Sequence, residues 1–312
     1  MRLSRMLTIL FLASLTVMVG CENGAVGPTA PDTGPDKYSI QVEPLPVHVP
    51  YALIVVGGAI GDSQQADFNN AAELVYQYCT SRMGCNDGTV TYLNVDVNRP
   101  YVDGQTTVIN IDAAFTAIGN AMDSDDRVLV YFVGHGEASG PVQRDGFELG
   151  PLGASGDPAP GGFVANPNLV VFGLPGFFTF DSEPDGIWEQ YWDHQFAQGI
   201  GRLGGYWQMT IVLEFCHSGT FVDDTMPSNN PAANDGKYMA TACRPNEVAN
   251  GHPGYPYPTF SYQFFNMLLR NHFLEDAFAS AYSSVLFHHM DQQHPMEVDC
   301  APRGNHGAKT RP

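Results

Sequence analysis

A cysteine and a histidine, each at the end of an apolar run, are the pair in this chain best suited to nucleophilic chemistry. One run is Ile211-Val212-Leu213-Glu214-Phe215-Cys216-His217-Ser218-Gly219, and the other is Arg127-Val128-Leu129-Val130-Tyr131-Phe132-Val133-Gly134-His135-Gly136. Runs apolar on both faces read as strands buried in a parallel sheet, whose ligands collect beyond the carboxyl ends of the strands. Neighbouring strands that end this way set an imidazole beside a thiol. A free thiol titrates at about 8.5, and a nearby imidazole lowers that value, so a thiolate becomes available at neutral pH. Cys216 is therefore the expected nucleophile and His135 the expected base. A buried structural thiol is the plainer reading of any cysteine, and the glycine turn after Cys216 and the matching histidine strand argue against it. His217 follows directly in sequence but points to the opposite face of a strand, which makes it a poor base for Cys216.

These residues need a sheet to hold them, and the flanking pattern supplies one. A strand is expected at Tyr51 to Val56, a helix from about Gln65, a strand at Val90 to Val95 and a helix around Ile111 to Met122. The His135 strand comes next. Strand and helix alternating in this way predict an α/β fold, a three-layer α/β/α sandwich with a mostly parallel central sheet. Eighty residues separate His135 from Cys216, more than one crossover helix needs. The Gly- and Pro-rich part of that stretch, about 140–185, reads as an insertion beside the site, with a helix expected from Ile187 to about Gln198. Asp181-Ser182-Glu183-Pro184-Asp185-Gly186 opens like a calcium loop, but the twelfth position is Trp192 where a bidentate glutamate belongs, so it reads as an acidic helix start. After Cys216 the pattern predicts a strand at Tyr238 to Ala242, a helix carrying Phe260, Phe264, Met267 and Leu268, and a last helix from Leu274 to Met290.

The motifs resemble those of the caspase-like cysteine peptidases, and most closely the legumain (asparaginyl endopeptidase) family. That family has a strand ending in His-Gly and a later strand ending in Glu-x-Cys-x-Ser-Gly, matched here by Gly134-His135-Gly136 and by Glu214 to Gly219. The likeness extends to Tyr51 to Gly58, to Gln65-Ala66-Asp67 and to Tyr238 to Glu247, and so spans most of residues 51–298. It implies a caspase-like fold and a cysteine endopeptidase that works through a thioester, with the N–H groups of Gly136 and Cys216 holding the oxyanion. A catalytically silent binding protein and a transpeptidase are the alternatives on the same scaffold. The family's asparagine after the first strand is not matched, because the chain reads Gly57-Gly58-Ala59-Ile60-Gly61-Asp62 there. The asparagine pocket of the family uses an Arg-His pair before Gln-Ala-Asp, and here Ser63 and Gln64 stand in those places. Ser63 and Glu214 are thus the expected substrate contacts. The resulting pocket is acidic, which disfavours an acidic substrate residue and admits a neutral amide or a basic one.

Composition narrows the class. The 312 residues are 44% hydrophobic, enough for a folded core, and the net charge of −19 argues against nucleic acid as a partner. A peptide or protein substrate is the expected partner, and no cofactor or metal is expected. His288, His289 and His294 cluster in sequence but lack the i, i+4 spacing of a helical zinc pair. Arg2 and Arg5 before the apolar stretch Met6 to Val19 read as a signal peptide over residues 1–20. Met18-Val19-Gly20-Cys21 resembles the bacterial lipobox, which implies lipidation of Cys21, a membrane partner through that lipid, and a place in the bacterial cell envelope. Cleavage there removes two arginines and moves the charge from −19 to about −21. A Pro-rich tether (residues 21–50), the peptidase domain (51–298) and a tail (299–312) expected to be disordered complete the organisation. With Cys21 lipidated, five cysteines remain, so one is left over. Pairing Cys79 with Cys85 and Cys243 with Cys300 would leave Cys216 free, although spacing alone does not fix the pairing.

Overall fold

A computed structural model describes residues 48–58, 63–137, 190–227, 234–289 and 292–300, together with the backbone of five short strands between residues 140 and 178. The chain divides between Pro44 and Leu45, and everything described belongs to the second unit. The signal segment, Cys21, most of the tether, the Asp181 to Gly186 run and the tail from Ala301 lie outside the described residues.

In chain order the first half runs β1 (Pro50–Val56), α1 (Gln65–Tyr78), a π turn (Cys79–Met83), β2 (Val90–Asn94), β3 (Gly104–Gln105), α2 (Val108–Ala121) and β4 (Arg127–Val133). Short strands follow: β5 (Gly136–Glu137), β6 (Gly140–Gln143), β7 (Glu148–Leu149), β8 (Phe163–Val164), β9 (Val170–Gly173), β10 (Gly176–Phe178) and β11 (Gln190–Trp192). The second half is α3 (Asp193–Arg202), β12 (Gln208–Glu214), α4 (Phe221–Thr225), β13 (Lys237–Thr241), α5 (Thr259–Leu269), α6 (Leu274–His289) and β14 (Met296–Asp299).

Seven of these strands form one sheet in the order β14-β13-β12-β4-β1-β2-β3. All neighbours in it are parallel except β13 and β14. The strands are apolar on both faces because both faces are covered. Ala52, Ile54, Val56, Leu129, Tyr131 and Val133 pack under α1, α5 and α6, whereas Leu53, Val55, Val128, Val130 and Phe132 pack under α2, α3 and α4. Period-two alternation thus splits one strand's side chains between two cores, giving the three-layer α/β/α arrangement with a mostly parallel sheet. From β1 the chain moves outward to β2 and β3, then returns to place β4 on the other side of β1. The carboxyl ends of strands at such a reversal are where α/β proteins bind ligands.

Several expectations need correction. Ile187 lies outside the described residues, and the start of the expected helix is corrected: Gln190–Trp192 is strand, and the helix starts at Asp193, where Gln195 Oε1 accepts the N–H of Trp192. The insertion contributes β10, which pairs antiparallel with both β5 and β11. The edge strand β14, Met296–Asp299, was not expected. All five cysteines among the described residues are free thiols. Cys79 and Cys85 are neighbours, held by the Cys85 N–H to the Cys79 carbonyl at 3.0 Å, but unbonded. Cys243 and Cys300 lie at opposite ends of β13: the Cys300 N–H bonds to Lys237 O at the start of the strand, and Cys243 follows its end. About six residues of extended chain, roughly 20 Å, separate those ends, too far for a disulfide.

Candidate active site

Strands β4 and β12 are paired to their last residues, with Val133 opposite Glu214, and the Gly134 N–H continues the ladder to the Glu214 carbonyl at 3.2 Å. His135 and Cys216 each lie two residues beyond that last pair, so the sheet register brings them out at the same level. Glycine is required beside them. A Cβ on Gly136 would sit 2.1 Å from the Cys216 carbonyl oxygen and 2.7 Å from the Phe215 ring. Any side chain at this position would thus collide within the protein itself.

After Cys216 the backbone turns sharply. His217 takes φ 62°, the left-handed region that a residue with a Cβ rarely enters. Its N–H donates to the Glu247 carbonyl at 2.8 Å, and its Nδ1 lies 2.9 Å from Pro245 O. The His217 ring is thus occupied in the turn. A Cβ on Gly219 would meet Cys243 O and Pro245 at 2.8 Å, so glycine is again the residue that fits. Cys243 is buried beneath this turn, its sulfur 3.4 Å from Phe215 O and 3.3 Å from Glu247 O.

Cys216 and His135 line one cavity at the carboxyl edge of the sheet, on the side of α1 and α5. Gln64, Asp67 and Phe68 from the start of α1 form one wall, and Ala249, Asn250, Gly251 and Pro258 from the loop before α5 form another. The space is about 30 Å³, room for one or two waters. The His135 ring packs edge-on against Phe68, with centroids 5.1 Å apart. The Cys216 thiol donates to the Ala249 carbonyl with Sγ at 3.8 Å. Burial pushes its pKa up, and the Glu214 charge adds to the rise, so the resting group is a thiol. This corrects the expectation of a thiolate at neutral pH.

Glu214 is 1% exposed and also lines the cavity. Its Oε2 accepts the Ser261 N–H at 2.6 Å in the first turn of α5, a helix whose N-cap residue, Pro258, makes no side-chain cap of its own. Its Oε1 has no hydrogen-bond partner among the described residues. Burial raises this carboxyl to about 7.

The other expected residues distribute as follows. Ser63 is exposed and is not part of the cavity wall, where its neighbour Gln64 and then Asp67 stand instead. His294 is paired with Glu247 at 2.7 Å, His289 lies 2.8 Å from the Thr259 hydroxyl, and His288 packs on His252 at 4.6 Å. The three histidines are thus divided among three different partners. The loop that closes the cavity was not anticipated. Gln293, fully buried, holds it by accepting the Asn250 N–H at 3.0 Å and donating to Ala242 O at 2.9 Å. A glutamine between the last helix and an edge strand carries no sequence signal for that role. Asp67 could have been found, since it belongs to the Gln-Ala-Asp segment that opens α1.

No family model matches the chain, and no curated protein matches it. Among solved structures the chain is similar to protein GSU0716 from Geobacter sulfurreducens, at 12% identity and a TM-score of 0.47, over 85% of this chain and 98% of that one. It is also similar to caspase-1 from Spodoptera frugiperda, at 12% identity and a TM-score of 0.47, over 83% of this chain and 92% of that one.

Proposed function

We propose that the protein is a cysteine endopeptidase of the caspase-like kind, with Cys216 as nucleophile and His135 as general base. The observation that carries this reading is the register of β4 and β12, which delivers His135 and Cys216 at one level into one cavity. Because burial keeps Cys216 a thiol, the first step is proton transfer from Sγ to the imidazole as sulfur attacks the scissile carbonyl carbon. The thiol gives up the Ala249 carbonyl as it does so. The N–H groups of Gly136 and Cys216 are the donors for the oxyanion, and loss of one such donor costs about two to three orders of magnitude in rate. Collapse expels the amine with the proton from His135 and leaves a thioester, which water activated by the same histidine hydrolyses.

Hydrolysis of a peptide library by the full chain, by Cys216→Ala and by His135→Ala tests this. Each variant should lose at least a thousandfold in kcat/KM, and the double variant should be little worse than either, since the two groups act as a unit. Turnover by Cys216→Ala equal to that of the parent would sink the assignment. Adding an amine nucleophile separates hydrolysis from transpeptidation by its products. A second reading, a silent binding protein on the same scaffold, is favoured by the raised Cys216 pKa and its contact with Ala249. Site-resolved alkylation by iodoacetamide distinguishes the two. A competent site alkylates Cys216 faster than a small-molecule thiol of ordinary pKa once peptide analogue is bound, and a silent one stays slower with or without it.

A further inference from the structure

We propose that the cavity beside Cys216 receives a cationic side chain of the substrate, a lysine ammonium before an arginine guanidinium, selected by Glu214 at its floor and Asp67 at its rim. This rests on the peptidase reading above and names the substrate class for that site. Glu214 lies deep, 1% exposed, with Oε2 engaged by Ser261 and Oε1 without a partner among the described residues. A buried carboxylate with a free oxygen calls for a donor or a counter-charge. Among the described residues no lysine or arginine lines the cavity. An entering ammonium supplies positive charge and N–H donors together.

Asp67 stands in the first turn of α1, half-buried, and a Cβ on Gly251 would lie 3.6 Å from its Oδ2. Its carboxylate therefore faces the loop that closes the cavity, where an approaching cation passes. Size favours the ammonium. The cavity of about 30 Å³ suits a compact group near the size of a water, whereas a planar guanidinium or carboxamide needs the Ala249–Gly251 rim to move farther. Phe68 and Pro258 in the walls offer apolar surface to the methylenes of a lysine. A neutral amide could donate to Oε1 but would leave the charge unanswered, and an acidic side chain would meet two carboxylates.

Two arms test the proposal at pH 8, where Glu214 is ionised. Peptides that differ in the residue before the scissile bond (Lys, Arg, norleucine, Asn or Asp) are offered to the full chain, and the same uncleaved peptides are titrated calorimetrically into Cys216→Ala. Lys should exceed norleucine at least tenfold in kcat/KM and at least fivefold in affinity. In Glu214→Gln, which keeps an acceptor for Ser261, both gaps should close, and in Asp67→Asn, at the rim, they should narrow. Equal binding of Lys and norleucine peptides to Cys216→Ala, or preferred cleavage after Asn or Asp, overturns the cation site. If no peptide is cleaved yet the Lys peptide still binds in a Glu214-dependent way, the peptidase reading fails and the cation site stands.

Discussion

A carboxyl group that is 1% exposed and titrates near neutrality ties stability to pH in a direction set by its own burial. Glu214 is raised from 4.5 to about 7, so it binds its proton more tightly folded than unfolded. Its favourable contribution is therefore fully present below about pH 4.5 and is lost as pH rises through 7, a difference of about 3 kcal/mol. Four titratable groups share this setting: Cys216, His135 and Asp67 line the same cavity, and Tyr131 bonds to the Ser261 hydroxyl at 2.9 Å. The Cys216 and Tyr131 groups are themselves raised by burial and so stay uncharged through this range. Glu214→Gln should consequently gain in melting temperature relative to the parent as pH goes from 5 to 8, by about 5 °C. Thermal melts at the two pH values check this, and an unchanged gap would mean that Glu214 titrates as an ordinary carboxylate. At this scale the sequence reveals which residues meet in the cavity better than their protonation state. Cys216, His135 and Glu214 are legible because each ends or nearly ends an apolar run. The raised thiol is not, because it depends on burial under a loop more than thirty residues away, whose Ala249 carbonyl the sulfur faces.

Among the elements, β4 and β12 do the positioning, and Gly136 is the point where their ends touch. A methyl group there would overlap the Cys216 carbonyl at 2.1 Å, a backbone atom that no rotamer change can move aside. Gly136→Ala should therefore destabilise by about 1–3 kcal/mol. It should also lower kcat/KM at least a hundredfold, because relief of the overlap displaces one or both of the proposed oxyanion donors. Urea unfolding together with peptide hydrolysis checks both. A variant as stable and as active as the parent would mean that the strand ends are farther apart than this geometry allows. The central strands and most helices were readable because burial on both faces leaves long apolar runs, and one-sided helices show their period. The rest was hidden for particular reasons. The edge strand β14 is four residues long with alternating half-buried and exposed positions, too short to stand out. The start of α3 was obscured because Gln190–Trp192 is drawn into pairing with β10, a tertiary choice that local acidic residues do not reveal. The supposed Cys243–Cys300 bridge fails on topology, since antiparallel pairing of β14 with β13 carries Cys300 to the far end of the strand.

For the molecule as a whole, charge decides how it can meet a membrane. A net charge of −19 disfavours electrostatic adhesion to anionic headgroups. Among the described residues no helix is long and apolar enough to cross a bilayer. We propose that attachment comes through lipid on Cys21, read from the Met18-Val19-Gly20-Cys21 run, with the Pro-rich residues that follow as a tether to the domain. Stable anchoring takes more than one acyl chain, and a chain held that way is insensitive to salt. The two modes of attachment thus predict opposite responses to washing. The parent should stay in the membrane fraction through high salt and alkaline carbonate and leave with detergent. Cys21→Ser should appear in the soluble fraction or accumulate as the unprocessed precursor, with the proposed peptide-cleaving activity in detergent unchanged because the substitution is far in sequence from His135 and Cys216. Mass spectrometry of the mature N-terminus supplies the second readout, an acylated Cys21. An unmodified mature chain found wholly in the soluble fraction would rule the lipid anchor out.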